Sequence, residues 1–226
     1  MLELVKGSYD LSRRAKIFHL TGMSFREYLN FTNKTALKPF KLQALLDDPR
    51  RFNQLGTIDT ILGHFKKYLA SGYYPFVFEG RHSYYERVAR IIDKIIYEDI
   101  PSYYDLKTHN IHLFKKILSS LATVPPGEVN TNNIAKNIQI AHQTVVHYLN
   151  ILSSVGLIQL IYPFEGGNQS LRKPQKLFLH NTTLLYTLQQ FVAEPINQGN
   201  LRELYFIQAL RDANEAIYYS KQGDYR

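Results

Sequence analysis

The sequence predicts a mainly α protein with a small β component. Its expected layout is a helical front half, two helices running into a strand pair, and a partial α/β element at the C-terminal end. Three observations carry this reading. Apolar residues recur at helical spacing in one segment after another up to about residue 122. Residues 131–162, TNNIAKNIQIAHQTVVHYLNILSSVGLIQLIY, hold two such stripes around a short turn and end in an apolar run. Strand-like runs are few and short, at 16–20, 157–161, 177–179 and 216–220.

Taken in order, Asp10 is placed to cap a short helix over LSRRA, and KIFHL after it alternates as a strand does. Thr21 and Gly22 end that strand. Ser24 followed by Glu27 makes a capping box, with Phe25, Tyr28 and Leu29 as the apolar face of the helix it starts. Helical patterns cover 40–46 and 58–70, the second with Ile58, Ile61, Leu62, Phe65 and Leu69 in register, closed by Gly72. Residues 84–99 form the cleanest amphipathic pattern, a core helix with Val88, Ile91, Ile92, Ile95 and Ile96 in one stripe, and Pro101 should terminate it. A further helix over 109–121 precedes the break at Pro125, Pro126 and Gly127.

In the central stretch, Ile134, Ala135 and Ile138 share one helical face, and Val145, Tyr148, Leu149 and Leu152 share another. Gly156 should stop the second helix, because glycine accepts the left-handed cap conformation. Leu157, Ile158, Leu160 and Ile161 then read as a strand, 165–176 (EGGNQSLRKPQK) as a basic loop, and Leu177, Phe178 and Leu179 as the returning strand. Two helices, a tight turn and a strand pair make the pattern of a winged helix-turn-helix. In versions that read DNA, the second helix enters the major groove. The residues offered for that role are His142, Gln143, Thr144 and His147, with Arg172, Lys173 and Lys176 as wing cations. Residues 142–154 contain no Lys, Arg, Asp or Glu, so phosphate attraction must come from the wing and from Lys136. A structural or docking role is slightly favoured over sequence-specific DNA binding. After the wing, 183–192 reads as helix, 195–200 as linker, 201–213 as a last helix and 216–220 as a strand.

The 226 residues suffice for one large or two to three small domains, and 45% apolar with 20% charged residues suits a globular protein. Cysteine is absent, which excludes disulfides, thiolate zinc sites and cysteine nucleophiles in these residues. No apolar run approaches the roughly 20 residues of a membrane span, and the first residues lack a signal-peptide core. A cytoplasmic address is expected, with no membrane partner. The formal charge of +8 is unevenly spread: residues 1–120 carry 19 Lys and Arg against 12 Asp and Glu, later residues 8 against 7. The basic excess therefore lies outside the helix-turn-helix.

Other chemistry finds little support. His109 and His112 are spaced i, i+3 but lack carboxylates at ligand spacing, so no metal site is expected. No G-x-S-x-G elbow singles out a nucleophile. The paired tyrosines 73–74, 84–85, 103–104 and 218–219 are expected to sit half-buried, with hydroxyls at the surface.

Over its whole length the chain resembles a family of prokaryotic AAA-type P-loop ATPases that carry a C-terminal module of winged helix plus nuclease-like domain. The residues that carry the likeness are Asp10 to Ala15 (DLSRRA), His19-Leu20 and Ser24 to Leu29 (SFREYL). The resemblance implies a core remnant over 1–22, a helical lid over 23–122, a winged helix over 123–192 and the start of a nuclease-like domain over 199–226. It also implies that Arg13 or Arg14 is an arginine finger, reaching the γ-phosphate held by a neighbouring subunit of a homo-oligomer. A planar guanidinium suits that role better than an ammonium. By the same likeness Pro75, in Gly72-Tyr73-Tyr74-Pro75, would approach the nucleotide base, although Tyr73 stands where the family has a second glycine. Glu203 matches an acidic residue of the nuclease-like helix, and its simpler reading is a solvated carboxylate near Arg202.

No G-x-x-x-x-G-K-[ST] loop is present, so ATP and magnesium belong to the parent ATPase, and this piece needs no cofactor and is expected to be inactive. Gln139 replaces the usual turn glycine and Ala141 the usual cap serine, which favours docking. The last strand is expected to show open ladder groups or to borrow a partner from another molecule. The alternative is a stand-alone winged-helix transcriptional regulator that binds DNA.

Overall fold

The computed structural model describes residues 20–50, 58–80, 82–104, 106, 110–123, 130–164, 176–190 and 195–220. The segments expected at 10–19, with Arg13 and Arg14, lie outside them. The described residues are mainly helical with a small mixed three-stranded sheet. They fall into two compact units, one over 21–84 and one from Tyr85 onward.

The first unit contains α1 (Phe25–Asn33), α2 (Leu42–Asp47), α3 (Ile61–Ser71) and a 3-10 turn (Pro75–Glu79). The capping box forms as the sequence predicts. Glu27 N–H donates to Ser24 Oγ at 3.3 Å, and Ser24 N–H donates to Glu27 Oε2 at 2.8 Å. An aromatic cluster makes the core, with Phe25 packed on Phe65 at 5.0 Å and on Tyr68 at 5.3 Å, and Tyr28 on Tyr68 at 5.6 Å. Two glycines let the rings close in. A Cβ on Gly22 would lie 2.4 Å from the Tyr73 ring, and one on Gly72 would lie 2.4 Å from the Tyr68 ring and 2.8 Å from its Cα. The helix expected from residue 58 starts at Ile61, behind a left-handed Thr60. Leu62, expected in its apolar stripe, is 72% exposed.

In the second unit, α4 (Tyr84–Lys94) runs into a π turn (Ile95–Asp99) and then α5 (Ile100–Tyr104). Pro101 therefore does not end the helix, contrary to the expectation. Its missing N–H would break an i→i−4 ladder. Here the ladder has already widened, Ile100 N–H bonding Ile95 O, and the chain continues helical past the proline. Val88, Ile92 and Ile96 are buried, but Ile91, expected in the same stripe, is 46% exposed.

The centre of this unit is α6 (His112–Thr123), which buries Leu113, Phe114, Ile117, Leu118 and Ala122. It packs against α7 (Thr131–Ile138), β2 (Lys176–Leu179) and α9 (Thr182–Gln189). Phe114 stacks on Tyr148 of α8 (His142–Ser154) at 4.3 Å. Lys115 Nζ reaches Asp93 Oδ1 at 2.7 Å, and Tyr104 and Ser154 share a 2.5 Å hydroxyl contact.

Helix α8 ends as its glycine predicts. Gly156 takes φ +74°, Gly156 N–H bonds Ser153 O and Leu157 N–H bonds Leu152 O, the paired closure of a Schellman motif. The chain then enters β1 (Ile158–Pro163), which pairs antiparallel with β2, Ile158 opposite Leu179 and Ile161 opposite Lys176. Residues 198–200, expected as linker, already belong to α10 (Gln198–Asp212), because Asn197 caps it by accepting from Gly199 and Asn200 N–H. The expectation for the last strand is also corrected. β3 (Tyr218–Tyr219) pairs parallel with the far end of β1, and Phe164 N–H donates to Tyr219 O at 2.8 Å. It finds a partner within the chain because β1 is the middle strand of the order β2-β1-β3, and β3 takes the edge of β1 that faces away from β2.

Tyrosine pairing also departs from expectation. Tyr73 and Tyr84 are fully buried rather than half-exposed, since each fills the aromatic core of the first unit.

Candidate docking face

Helix α8 owes its two faces to its period. Val145, Tyr148, Leu149, Ile151 and Leu152 are buried, while His142, Gln143, Val146, His147 and Asn150 stand exposed. Three of the four residues offered for DNA reading, His142, Gln143 and His147, thus share the outer face, and Thr144 is half-buried. That face carries polar and apolar groups but no formal charge. Burial pushes the Tyr148 phenol up on the inner face, with a hydrogen bond to Asn110 acting in the opposite direction.

The start of α8 has an interaction that sequence reasoning missed. His142 Nε2 lies 2.6 Å from Thr131 Oγ1, tying the first turn of α8 to the first turn of α7. No spacing rule exposes such a pair, because it depends on how the two helices cross. The turn between them holds Gln139 at φ +58°, a left-handed conformation that favours glycine. Ala141 at the N-cap provides no side-chain acceptor. Replacing it, Ala141→Ser, should stabilise the protein by about 1 kcal/mol, since a serine oxygen can accept from the Thr144 N–H. Urea unfolding reads this as a higher midpoint at unchanged slope, and an unchanged midpoint would refute it.

Of the cations expected in a wing, Arg172 and Lys173 lie outside the described residues. Lys176 is engaged: its Nζ donates to Glu203 Oε1 at 2.9 Å, joining β2 to α10. Glu203 is therefore not the solvated neighbour of Arg202 that the sequence suggested. Both partners are about a third exposed, so the pair contributes modestly to stability.

A larger polar network lies where α10 crosses the sheet. Arg211 Nη1 donates to His180 O and, at 3.3 Å, to Gln159 Oε1, while its Nε and Nη2 reach Asp212 Oδ1 at 2.9 and 2.7 Å. Gln208, fully buried, accepts the Thr182 N–H at 3.0 Å, and Asn181 caps α9 by accepting from Leu184 N–H at 3.0 Å. The cap was legible in the Asn-Thr-Thr run before an apolar stripe, though the sequence reading did not use it. The pairings with Gln208 and Arg211 were not.

For nucleotide chemistry, Pro75 is exposed at the first position of the 3-10 turn, beside Tyr74 and Phe76, which stack at 5.6 Å. Gly72 and Tyr73 are used in packing, and Tyr73 O accepts the Met23 N–H at 2.8 Å. Among the described residues no cluster of His, Asp or Glu could hold a metal ion, and no helix is long and apolar enough to cross a membrane.

No solved structure matches the chain. Among curated proteins, the uncharacterized protein MJ1637 of Methanocaldococcus jannaschii is 28% identical over 184 residues. That alignment covers 76% of this chain and 38% of the relative, so the chain spans less than two fifths of that protein's length. Residues 62–194, more than half of the chain, match the family described as a domain of unknown function, DUF8612, and the chain belongs to that family.

Proposed function

We propose that this chain is the helical-lid and winged-helix part of an AAA-type P-loop ATPase, and that its helix-turn-helix serves as a docking module. The observation that carries the docking role is the uncharged outer face of α8. A helix meant for a phosphate-lined groove gains most of its affinity from Lys and Arg, and residues 142–154 have none. The winged-helix reading is supported by the order α7, tight turn, α8, then the antiparallel β1–β2 pair. The ATPase reading is supported by the likeness around residues 10–15 and 24–29, and by the capping box that forms at Ser24 and Glu27.

ATP and magnesium do not fit the residues of this chain, which has no phosphate-cradling loop. In this proposal another part of the ATPase holds them. Arg13 or Arg14 acts in trans on a neighbouring subunit, and the lid (23–122), winged helix (123–192) and nuclease-like start (199–226) are its working parts.

Two measurements test the proposal. Reading the gene upstream of the Met1 codon should reveal an in-frame Walker loop within roughly 100–200 residues, and a stop codon directly upstream would sink the ATPase assignment. Anisotropy of a labelled DNA duplex should show weak binding, with log K falling no more steeply than about −3 per log unit of salt. Lys136, Arg172 and Lys173 offer about three phosphate contacts at about −0.9 each. A Kd tighter than the non-specific range of about 10⁻⁴ to 10⁻⁶ M would favour the transcriptional-regulator reading instead.

A further inference from the structure

A second surface, in the first unit, rests on residues that the reading above does not use. Phe31, on the last turn of α1, is 69% exposed, and Phe78, in the 3-10 turn, is 48% exposed. Their rings lie 5.7 Å apart at 32°. Phe78 is held from behind by the buried Tyr28, stacked at 5.9 Å and 22°. The two exposed rings therefore form a supported platform rather than two loose side chains.

Cations flank it. Lys34 follows Phe31 by three residues and caps α1 in the left-handed conformation at φ 53°. The segment after it is pinned to the helix by one side chain. Asn30 Oδ1 accepts from Leu37 N–H at 2.8 Å and from Thr35 Oγ1 at 2.9 Å, and Asn30 Nδ2 donates to Leu37 O at 3.2 Å. Lys38 comes directly after that clamp. Residues 31–46 contain Lys34, Lys38 and Lys41, all exposed, and no Asp or Glu.

We propose that this face binds a single strand of nucleic acid, its bases stacking on Phe31 and Phe78 and its phosphates meeting Lys34 and Lys38. Positive charge selects a polyanion, and exposed aromatic rings select among polyanions. A duplex offers base edges and keeps its base faces stacked within itself. An acidic peptide would use the lysines and leave the rings idle.

The test is anisotropy of a labelled oligothymidylate with the full chain. Phe31→Ala should weaken binding by about 5- to 150-fold, corresponding to about 1–3 kcal/mol of stacking per base. Phe31→Tyr, which keeps a ring, should bind as the natural protein does. Joint replacement of Lys34 and Lys38 by Ala should flatten the salt slope by about 1.4, at about 0.7 per phosphate on a single strand. These positions are exposed, and an unchanged circular dichroism spectrum verifies the fold of each variant. The proposal fails if Phe31→Ala leaves binding unchanged, if a duplex of the same length binds more tightly, or if polyglutamate competes as well as the oligonucleotide.

Discussion

Arg211→Ala should destabilise the protein by about 3–5 kcal/mol, the largest effect expected of any single charged residue described here. The Arg211 side chain is only 19% exposed and that of the adjoining Asp212 10%. Its planar fork serves three places at once: the carboxylate beside it, Gln159 on β1 and the His180 carbonyl after β2. Truncation removes the cation bonded to a nearly buried carboxylate and loosens α10 from the sheet. Arg211→Lys should rescue little, because one ammonium cannot reproduce the divergent donors. Arg202→Ala, exposed on the same helix, should stay within about 0.5 kcal/mol. Urea unfolding of the three variants decides the matter, and a loss under about 1 kcal/mol for Arg211→Ala would refute the anchoring role.

The second large effect is on acid stability. His180 has its pKa lowered from 6.5 to about 3, first by burial and second by the charge of Arg211. The folded protein therefore keeps the imidazole neutral over a range where the unfolded chain takes up a proton. Its contribution is complete above about pH 6.5 and is lost as pH falls toward 3, at up to about 1.4 kcal/mol per pH unit. By pH 4 the loss is about 3 kcal/mol. His180→Gln removes the titrating group, so its stability should be flatter than that of the natural protein between pH 6.5 and 4. Parallel pH profiles for the two proteins would show that His180 titrates normally.

Both effects arise from a junction that was not visible in the sequence. The Asn181 cap was local enough to be readable, as a short polar acceptor before an apolar run, although the sequence reading began the helix at 183 without it. The neighbours of His180 were not, because Arg211 lies 31 residues further on and reaches it only through the packing of α10. The Lys176 and Glu203 pair is similar: 27 residues separate the two, and the sequence offered Lys176 as a wing cation and Glu203 as a solvated carboxylate. Pro101 shows a different limit. Its rule is local and sound, yet a π turn one step earlier removed the hydrogen bond that the proline would have broken. The linker expected at 195–200 missed the cap at Asn197, which starts α10 at Gln198.

The outer face of α8 was readable in advance, because a helix with period 3.6 that buries Val145, Tyr148, Leu149 and Leu152 must expose His142, Gln143 and His147. What the face meets was not readable, and neither was the Thr131 contact. The platform of Phe31 and Phe78 went unnoticed for the same reason. Phe31 sits on an ordinary helix turn, and Phe78 is 47 residues away in a separate element.

By itself, the sequence determined the mainly helical class, the Ser24 and Glu27 capping box, the Gly156 helix stop and the buried stripe of α8. Each depends on residues within about one or two helical turns, whose sterics and hydrogen bonds act before any tertiary contact forms. Tertiary structure alone decided the parallel pairing of β3 with β1, the Arg211 junction and the pairing of Lys176 with Glu203. It alone decided, too, which aromatic rings were buried and which stayed out. Those outcomes depend on the packing of segments far apart in the chain, where the burial of one group is set by the shape of another.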